Sequence, residues 1–138
     1  MREISPEELS KILEEHKRWC DTDGEEGEQA DLYKADLSDA KLSEADLSDA
    51  KLYGANLRKA DLSDAKLYDA KLYKANLYKA DLSGADLFET NLGSANLSGA
   101  DLTQVKYLSI NQLSEVETLY KAKLDSELKK QVEDEYEE

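Results

Sequence analysis

The sequence predicts an all-β solenoid, a chain wound into stacked coils, and three observations support this class. Fifteen five-residue units of the form Ala-x-Leu-x-x run without interruption through residues 30–104. Leucine is central in every unit, and alanine precedes it by two residues except where Thr90 stands. A period of five suits neither a helix, at about 100° per residue, nor a flat strand, whose side chains alternate. The leucines can share one interior only if the chain turns a corner once per unit.

The central leucines are the predicted core, because stacked units bury their apolar sides only against their neighbours. Each buried leucine contributes about 1.5–3 kcal/mol, so the array suffices for one domain. The small alanine is predicted to occupy the crowded corner. The predicted core residues are Leu32, Leu37, Leu42, Leu47, Leu52, Leu57, Leu62, Leu67, Leu72, Leu77, Leu82, Leu87, Leu92, Leu97 and Leu102.

The residue before each leucine is also restricted. It is Asp in seven units and Asn in four, whereas Lys41, Lys51, Lys66 and Lys71 depart from the preference. The tandem Ala-(Asp/Asn)-Leu-x-x motif of residues 30–104 resembles that of the pentapeptide-repeat proteins. The resemblance implies a right-handed quadrilateral β-helix with four units, or twenty residues, in each coil. Fifteen units would then form about four coils.

The N-terminal flank, residues 1–29, is predicted to be a capping helix and a linker. Ser5-Pro6-Glu7-Glu8 combines an N-cap serine, a proline at the first helical position and a capping-box glutamate. Leu9, Ile12, Leu13, His16 and Trp19 follow at helical spacing. We expect this helix to cover the first coil with Trp19 as its largest anchor.

The C-terminal flank, residues 108–138, is predicted to cap the other end of the 30–107 coil within the same structural domain. Ser109–Gln112 is a second capping-box pattern, and residues 117–124 resume an Ala-x-Leu rhythm out of phase. We interpret 117–124 as an extended segment, followed by a helix over about 126–134 that Asp125 caps and that frays at 136–138. One continuous helix from Ile110 is the alternative.

Net charge is −14, and its distribution is uneven. Residues 1–29 carry −6, residues 105–138 carry −4 and the repeats carry −4. Sorting the repeats by four predicts two adjacent faces that lean basic and two that are acidic. The first face carries Lys34, Lys51, Lys71 and Lys74 against Asp31, and the second carries Arg58, Lys59 and Lys79 against Asp36 and Asp39. The third carries Glu44, Asp61, Asp64, Asp81 and Asp101 against Lys41, and the fourth carries Asp46, Asp49, Asp69, Asp86 and Glu89 against Lys66.

Exposed side chains on these faces form the candidate interaction surface. Tyr33, Tyr53 and Tyr73 recur at twenty residues, with Tyr68, Tyr78 and Phe88 nearby. The tyrosine column is either a binding stripe or a structural ladder of the kind that cross-strand aromatic pairs form. Four charged residues complete the candidate interaction surface, which consists of Tyr33, Tyr53, Tyr73, Lys59, Lys79, Asp64 and Asp69.

The sequence gives no sign of an enzyme, a metal site or a cofactor site. His16 is the only histidine and falls on an apolar helix face, where we expect it to be a packed residue. Ser-His-Asp, Cys-His and His-based metal constellations and Gly-rich phosphate loops do not occur. Pairs such as Asp61 and Asp64 follow from the repeat alone. The net charge also disfavours direct binding to nucleic acid.

We therefore predict a non-catalytic structural or protein-interaction scaffold. The alternative, implied by the family resemblance, is a DNA-mimicking binder that protects DNA gyrase or topoisomerase; the purified chain should then relieve quinolone inhibition of gyrase. Short basic faces and acidity concentrated in the flanks weaken that alternative. The single Cys20 and the lack of a bilayer-spanning run or signal-peptide pattern predict a cytoplasmic protein that binds no membrane. Helices at both ends favour a monomer, with a dimer as the alternative, and the regular repeat is also compatible with a consensus-like or engineered sequence.

Overall fold

The computed structural model describes residues 1–136. Its regular elements are strand β1 (Arg2–Glu3), helix α1 (Pro6–Asp21), strand β2 (Ala35–Asp36), helix α2 (Ile110–Ser114) and helix α3 (Ser126–Tyr136). The repeats between β2 and α2 contain single-residue β-bridges rather than longer strands. No helix within residues 1–136 is long and apolar enough to cross a membrane.

The β-bridges join residues on successive turns of the chain. Twelve parallel bridges link residues twenty positions apart, from Asp31 with Lys51 to Asp86 with Lys106. They form four rows, which we call the first to fourth faces, beginning at Asp31, Asp36, Lys41 and Asp46. The bridges place each repeat in the row that sorting by four predicts. Charges that recur every twenty residues therefore lie above one another.

Each five-residue unit ends in a tight turn. In the first unit the Ala35 N–H donates to the Leu32 carbonyl at 3.0 Å, and Lys34 between them has φ 54°. A positive φ at the third residue alone is the geometry of a type II turn. The second residue after every repeat leucine has a positive φ, and twelve of these fifteen residues are not glycine. The repeat is thus a regular succession of corners.

The core is the stack of leucines inside the coil. All fifteen predicted core leucines are at most 2% exposed. The preceding alanines are also buried, apart from the half-buried Ala40 and Ala45 of the first coil. Thr90 is buried in an alanine position, and its hydroxyl donates to the Leu67 carbonyl at 2.6 Å. That bond satisfies the buried hydroxyl that threonine has and alanine lacks.

The Asp and Asn residues before the leucines fix the turns. In all eleven such units the side-chain Oδ1 accepts a hydrogen bond from the backbone N–H two residues later, as Asn76 does from Tyr78 at 3.1 Å. A short carboxylate or amide reaches this N–H, whereas a lysine has no acceptor to offer. The preference is therefore structural.

Lys51→Asn is expected to raise the free energy of unfolding by about 0.5–1.5 kcal/mol, the net value of one hydrogen bond. The new Asn Oδ1 would accept from the Tyr53 N–H, as its counterparts do in the other units. Urea unfolding of the intact chain measures the change. Lys51→Gln is the control, because its amide is one methylene too long for this bond. Equal stabilisation by both variants would attribute the gain to the removed charge and contradict the prediction.

The N-terminal segment lies over the first coil. β1, which the sequence did not predict, pairs in parallel with β2, so that Glu3 extends the second face. α1 begins at the predicted N-cap, where the Ser5 side chain accepts from the Glu8 N–H at 3.1 Å. Leu9, Ile12 and Leu13 pack against the core cluster.

The predicted anchor role of Trp19 is wrong. Trp19 is only half-buried and stacks on His16, with ring centroids 5.6 Å apart, whereas His16 is 0% exposed. The larger indole covers the histidine from outside rather than entering the coil. His16, with the apolar residues of the same helix, therefore anchors α1.

The C-terminal segment adds two further bridges to the coil. Thr118 pairs with Asn96 and Lys123 with Asp101. Residues 117–124 do not run extended as predicted, because the Ala122 N–H donates to the Leu119 carbonyl at 2.8 Å and Lys121 has φ 60°, so the segment makes one more turn of the repeat type. α2 has the predicted capping box of Ser109 and Gln112. Since α2 and α3 are separate, the alternative of one continuous helix is wrong.

Asp125 precedes α3 as predicted, but its carboxylate accepts from the Gln104 N–H at 2.7 Å. The predicted fraying at the end of α3 concerns 136–138, and residues 137 and 138 lie outside the described part of the chain.

Candidate interaction surfaces

His16, Cys20 and Asp46 form the one group within residues 1–136 whose atoms lie close enough to suggest a metal site. Positions 16 and 20 are one helical turn apart on α1, and Asp46 belongs to the first coil. The Cys20 Sγ lies 3.5 Å from the His16 Nε2 and 3.9 Å from the Asp46 Oδ1. This cluster joins α1 to the coil.

Backbone hydrogen bonds occupy both ring nitrogens of His16. The Ala30 N–H donates to Nδ1 at 2.9 Å, so Nδ1 carries no proton. Nε2 then carries the ring proton and lies 2.8 Å from the Ser48 carbonyl, to which it donates. A metal at Nε2 would need the proton on Nδ1, where it would face the Ala30 N–H donor. The histidine therefore suits a structural role and not a ligand role.

Cys20 is also unsuited to nucleophilic chemistry. Burial, followed by the charges of Asp46 and Asp49, raises the pKa of its thiol to about 11. The thiol is therefore protonated at neutral pH, whereas the thiolate is the reactive form.

The seven candidate interaction residues lie on four different faces. Tyr33, Tyr53 and Tyr73 follow the bridged residues of the first face, and Lys59 and Lys79 belong to the second. Asp64 belongs to the third face and Asp69 to the fourth. They are thus four neighbouring strips around the coil and cannot contact one flat partner together.

Tyrosines on the two basic faces are next to cations of the same chain. The ammonium groups of Lys34 and Lys74 each lie 5.4 Å from the ring centroid of the preceding tyrosine, Tyr33 or Tyr73. Tyr78 on the second face has both Arg58, at 4.8 Å, and Lys79, at 5.4 Å. Such cation–π pairs are each worth about 0.5–1 kcal/mol at exposed sites. In the predicted tyrosine column, Tyr33 and Tyr73 thus each pair with the following lysine, whereas Tyr53 is half-buried and is followed by Gly54.

Ring-to-ring contacts occur on the fourth face instead. Tyr68 stacks on Phe88 with centroids 5.3 Å apart, and Phe88 meets Tyr107 edge-on at 5.7 Å. We call these three residues the aromatic column; they are 41%, 39% and 68% exposed in chain order. Tyr68 and Phe88 were predicted to lie near the tyrosine column of the first face. Their twenty-residue spacing is the signal that assigns them to a face of their own.

Carboxylates run alongside the aromatic column. Asp49, Asp69 and Glu89 occupy the positive-φ turn position of the fourth face in three successive coils, and we call them the acidic column. The Asp49 N–H donates to the Tyr68 carbonyl at 2.8 Å, and the Asp69 N–H donates to the Phe88 carbonyl at 3.0 Å. The negative charge of Asp69, followed by burial and the charges of Glu89 and Asp49, raises the pKa of the Tyr68 phenol. Aromatic rings and carboxylates are therefore adjacent on this face.

On the second and third faces, hydroxyl groups hold the aspartates ionised. The Ser63 hydroxyl donates to the Asp61 Oδ1 at 2.6 Å, and the Thr103 hydroxyl donates to the Asp101 Oδ1 at 2.7 Å. These side-chain hydrogen bonds are the main cause that lowers the pKa of Asp61 and of Asp101, and the Ser38 hydroxyl lowers that of Asp36. A depressed pKa contributes stability above pH 4 that is lost as the pH falls through the folded value.

Ser63→Ala is expected to raise the pKa of Asp61 towards its ordinary value, because the backbone N–H of residue 63 would be its remaining donor. The stability linked to Asp61 would then be lost at a higher pH during acid titration. Carboxyl-carbon NMR between pH 2 and 6 measures both effects. Ser43→Ala is the control, because Lys41 gives that unit no carboxylate. An unchanged Asp61 titration would contradict the assignment.

The family-model match and the similar solved structures indicate the same protein family. The family model described as pentapeptide repeats (8 copies) matches residues 30–67 and 65–104. The comparison with curated proteins gives no match. The matched residues make up more than half of the chain and coincide with the bridged coil.

Two solved structures illustrate the likeness. The pentapeptide-repeat protein Rfr23 from the cyanobacterium Cyanothece 51142 is 38% identical with a TM-score of 0.58, over 74% of this chain and 65% of that one. Trypsin-treated QnrB1, a plasmid-mediated fluoroquinolone resistance protein, is 22% identical with a TM-score of 0.54, over 76% of this chain and 62% of that one. The chain thus spans less than two thirds of the length of either structure. On the basis of the family-model match, with which the likeness to Rfr23 agrees, the chain belongs to the pentapeptide-repeat family.

Proposed function

We propose that the chain is a right-handed quadrilateral β-helix, closed at both ends by helical segments, that serves as a non-catalytic scaffold for protein interaction. Residues 1–29, 30–107 and 108–138 would act as one structural domain in the cytoplasm, as a monomer. The observation that carries the proposal is the separation of charge around a single leucine core. Two exposed lysines occupy turn positions on each of the first and second faces, with Asp39 as the one carboxylate among them, whereas the turn positions of the third and fourth faces carry carboxylates and no lysine.

The local chemistry also favours a scaffold over an enzyme. Backbone groups occupy both nitrogens of the only histidine, and the only cysteine is protonated near neutral pH. Binding specificity would come from fixed side chains on a rigid coil, which lose little conformational entropy when a partner docks.

Charge reversal on the second face, or across the neighbouring third and fourth faces, tests the scaffold function. The wild-type chain and the variants Lys59→Glu/Lys79→Glu and Asp64→Lys/Asp69→Lys would be used to capture partners from a lysate of the source organism. We expect a reproducible partner that one reversal removes and the other retains. Lys129→Glu/Lys130→Glu on α3 is the control, since both lysines are exposed and lie off the repeat. If capture is the same with all variants, the faces are not the binding surface and the proposal fails.

The alternative of gyrase protection has less support. The likeness to QnrB1 extends to the fold alone at 22% identity. A DNA mimic needs a continuous negative surface, whereas the second face carries Arg58, Lys59 and Lys79 with no ion pair among the described residues. We therefore rank it second, to be tested by adding the chain in micromolar excess to quinolone-inhibited gyrase.

A further inference from the structure

The fourth face differs from the basic faces in what neighbours its aromatic rings. On the first and second faces each of Tyr33, Tyr73 and Tyr78 is followed by a lysine that lies over its ring. On the fourth face Tyr68 and Phe88 are followed by Asp69 and Glu89. Within residues 1–136, no cation of the chain lies over a ring of the aromatic column. Tyr68 and Phe88 each cover one face of the other's ring, and the ring surface of the column that remains exposed is available to a cation from outside.

The acidic column has no ion pair within the described residues. The ion pairs of residues 1–136 are Lys17–Asp21, Arg18–Glu15 and Arg18–Glu26, all in the N-terminal segment. Lys66 and Lys106 lie on the same face, but in the bridged row, where they alternate with Asp46 and Asp86. The Lys71 ammonium donates to the backbone carbonyl of Asp69 at 2.7 Å, so a cation lies near Asp69, but it forms no ion pair with a carboxylate of the acidic column.

The acidic column also occupies backbone positions that would suit glycine. Side chains other than glycine cost roughly 1–2 kcal/mol in the left-handed region, less for aspartate. Each of the other three faces has one glycine at this turn position, namely Gly54, Gly84 and Gly99. The fourth face has a carboxylate in all three coils. The fourth face therefore has a negative charge at this turn position in each of the three coils, at a cost in backbone energy.

We propose that the fourth face binds a cationic segment of a protein partner, with arginine or lysine side chains seated between the aromatic column and the acidic column. The inference rests on the scaffold function and names its face and the chemistry of its partner. The rings supply cation–π contacts and the carboxylates supply charge-assisted hydrogen bonds. Arginine fits best, because its planar guanidinium both stacks on a ring and donates two hydrogen bonds to a carboxylate.

The experiment titrates hexa-arginine peptide into the intact, isotope-labelled chain at 150 mM salt and follows the backbone amide NMR signals. We expect shifts concentrated at the two columns of the fourth face. Asp69→Asn/Glu89→Gln should weaken binding about tenfold, and Phe88→Leu, which keeps an apolar side chain but removes the ring, about threefold. Phe88 is 39% exposed, so this change spares the core.

Glu44→Gln/Asp64→Asn is the matched control, because it removes two carboxylates from the same turn position of the third face. We expect this variant to weaken binding less than twofold. Equal weakening by both pairs would assign the attraction to net charge and overturn the inference, as would an absence of binding at millimolar peptide. If a captured partner still binds the Asp69→Asn/Glu89→Gln variant, the scaffold function stands and the fourth-face assignment fails.

Discussion

Leu72→Ala is expected to lower the free energy of unfolding by about 3–4 kcal/mol. Leu72 is 0% exposed and belongs to the third coil, with Leu52 and Leu92 on the neighbouring coils of the same face. The substitution loses the transfer free energy of the removed carbons and leaves a cavity that the bridged backbone cannot close. Bridges from Lys71 to both Lys51 and Asn91 hold that backbone on each side. Urea unfolding followed by circular dichroism measures the loss.

Leu124→Ala is the matched control for this substitution. Leu124 is only half-buried and follows Lys123, which bridges to Asp101 in the last coil. The same chemical change should cost about 1 kcal/mol there, because less surface is buried and the end can relax. In a stacked repeat, a central unit supports two interfaces and a terminal unit supports one. Equal losses at the two positions would contradict this account of the core.

His16→Ala is expected to cost about 2–4 kcal/mol and to release α1 before the coil unfolds. The substitution leaves the Ala30 N–H and the Ser48 carbonyl without their partner, and each unsatisfied buried group costs about 1–3 kcal/mol. Trp19 is the only tryptophan and stacks on His16, so its fluorescence reports the release of the helix. Hydrogen exchange at the Ala30 amide should accelerate in parallel.

Two conservative variants separate the roles of the ring nitrogens. His16→Asn can keep an acceptor for the Ala30 N–H, and His16→Gln can keep a donor for the Ser48 carbonyl. Each should recover part of the lost stability, and only the asparagine variant should protect the Ala30 amide. Lys17→Ala is the control, because the exposed pair of Lys17 with Asp21 contributes at most about 1 kcal/mol. A loss with Lys17→Ala as large as that with His16→Ala would contradict the anchoring role of the histidine.

The coil could be predicted in detail because its signal is periodic. Leucine recurs at every fifth position, which requires one corner in each unit. The resemblance to pentapeptide-repeat proteins implied four units in each coil, and the bridges arrange the units in four rows. The addition of residues 117–124 to the coil was also predictable, since the Ala-x-Leu rhythm returns there, but their turn was not. The two-residue change of register, from a spacing of twenty to one of twenty-two, was not. It arises because α2 takes the place of one five-residue unit.

Side-chain contacts between distant segments were harder to predict. The helical spacing placed His16 on the correct face of α1 but could not show that Ala30 and Ser48 would satisfy both nitrogens. Those partners come from loops whose positions depend on the assembled coil. The contact of Tyr107 with Phe88 on the fourth face was likewise missed, because Tyr107 lies nineteen residues after Phe88, one short of the repeat spacing. Such contacts depend on how distant segments pack in the folded protein, and the spacing of residues in the sequence does not predict them.

The twenty-residue spacing of the bridges makes the coil modular in length. Excising residues 50–69 would join Asp49 to Ala70 with every later unit still on its own face, and would shorten the rod by one layer of about 4.8 Å. Excising only residues 50–54 would instead carry each later unit to the preceding face. The aromatic column would then rotate by roughly a quarter turn relative to α1. The coil can therefore be lengthened without other change only by four units, or twenty residues, at a time. Any other number of units would rotate one end of the coil relative to the other.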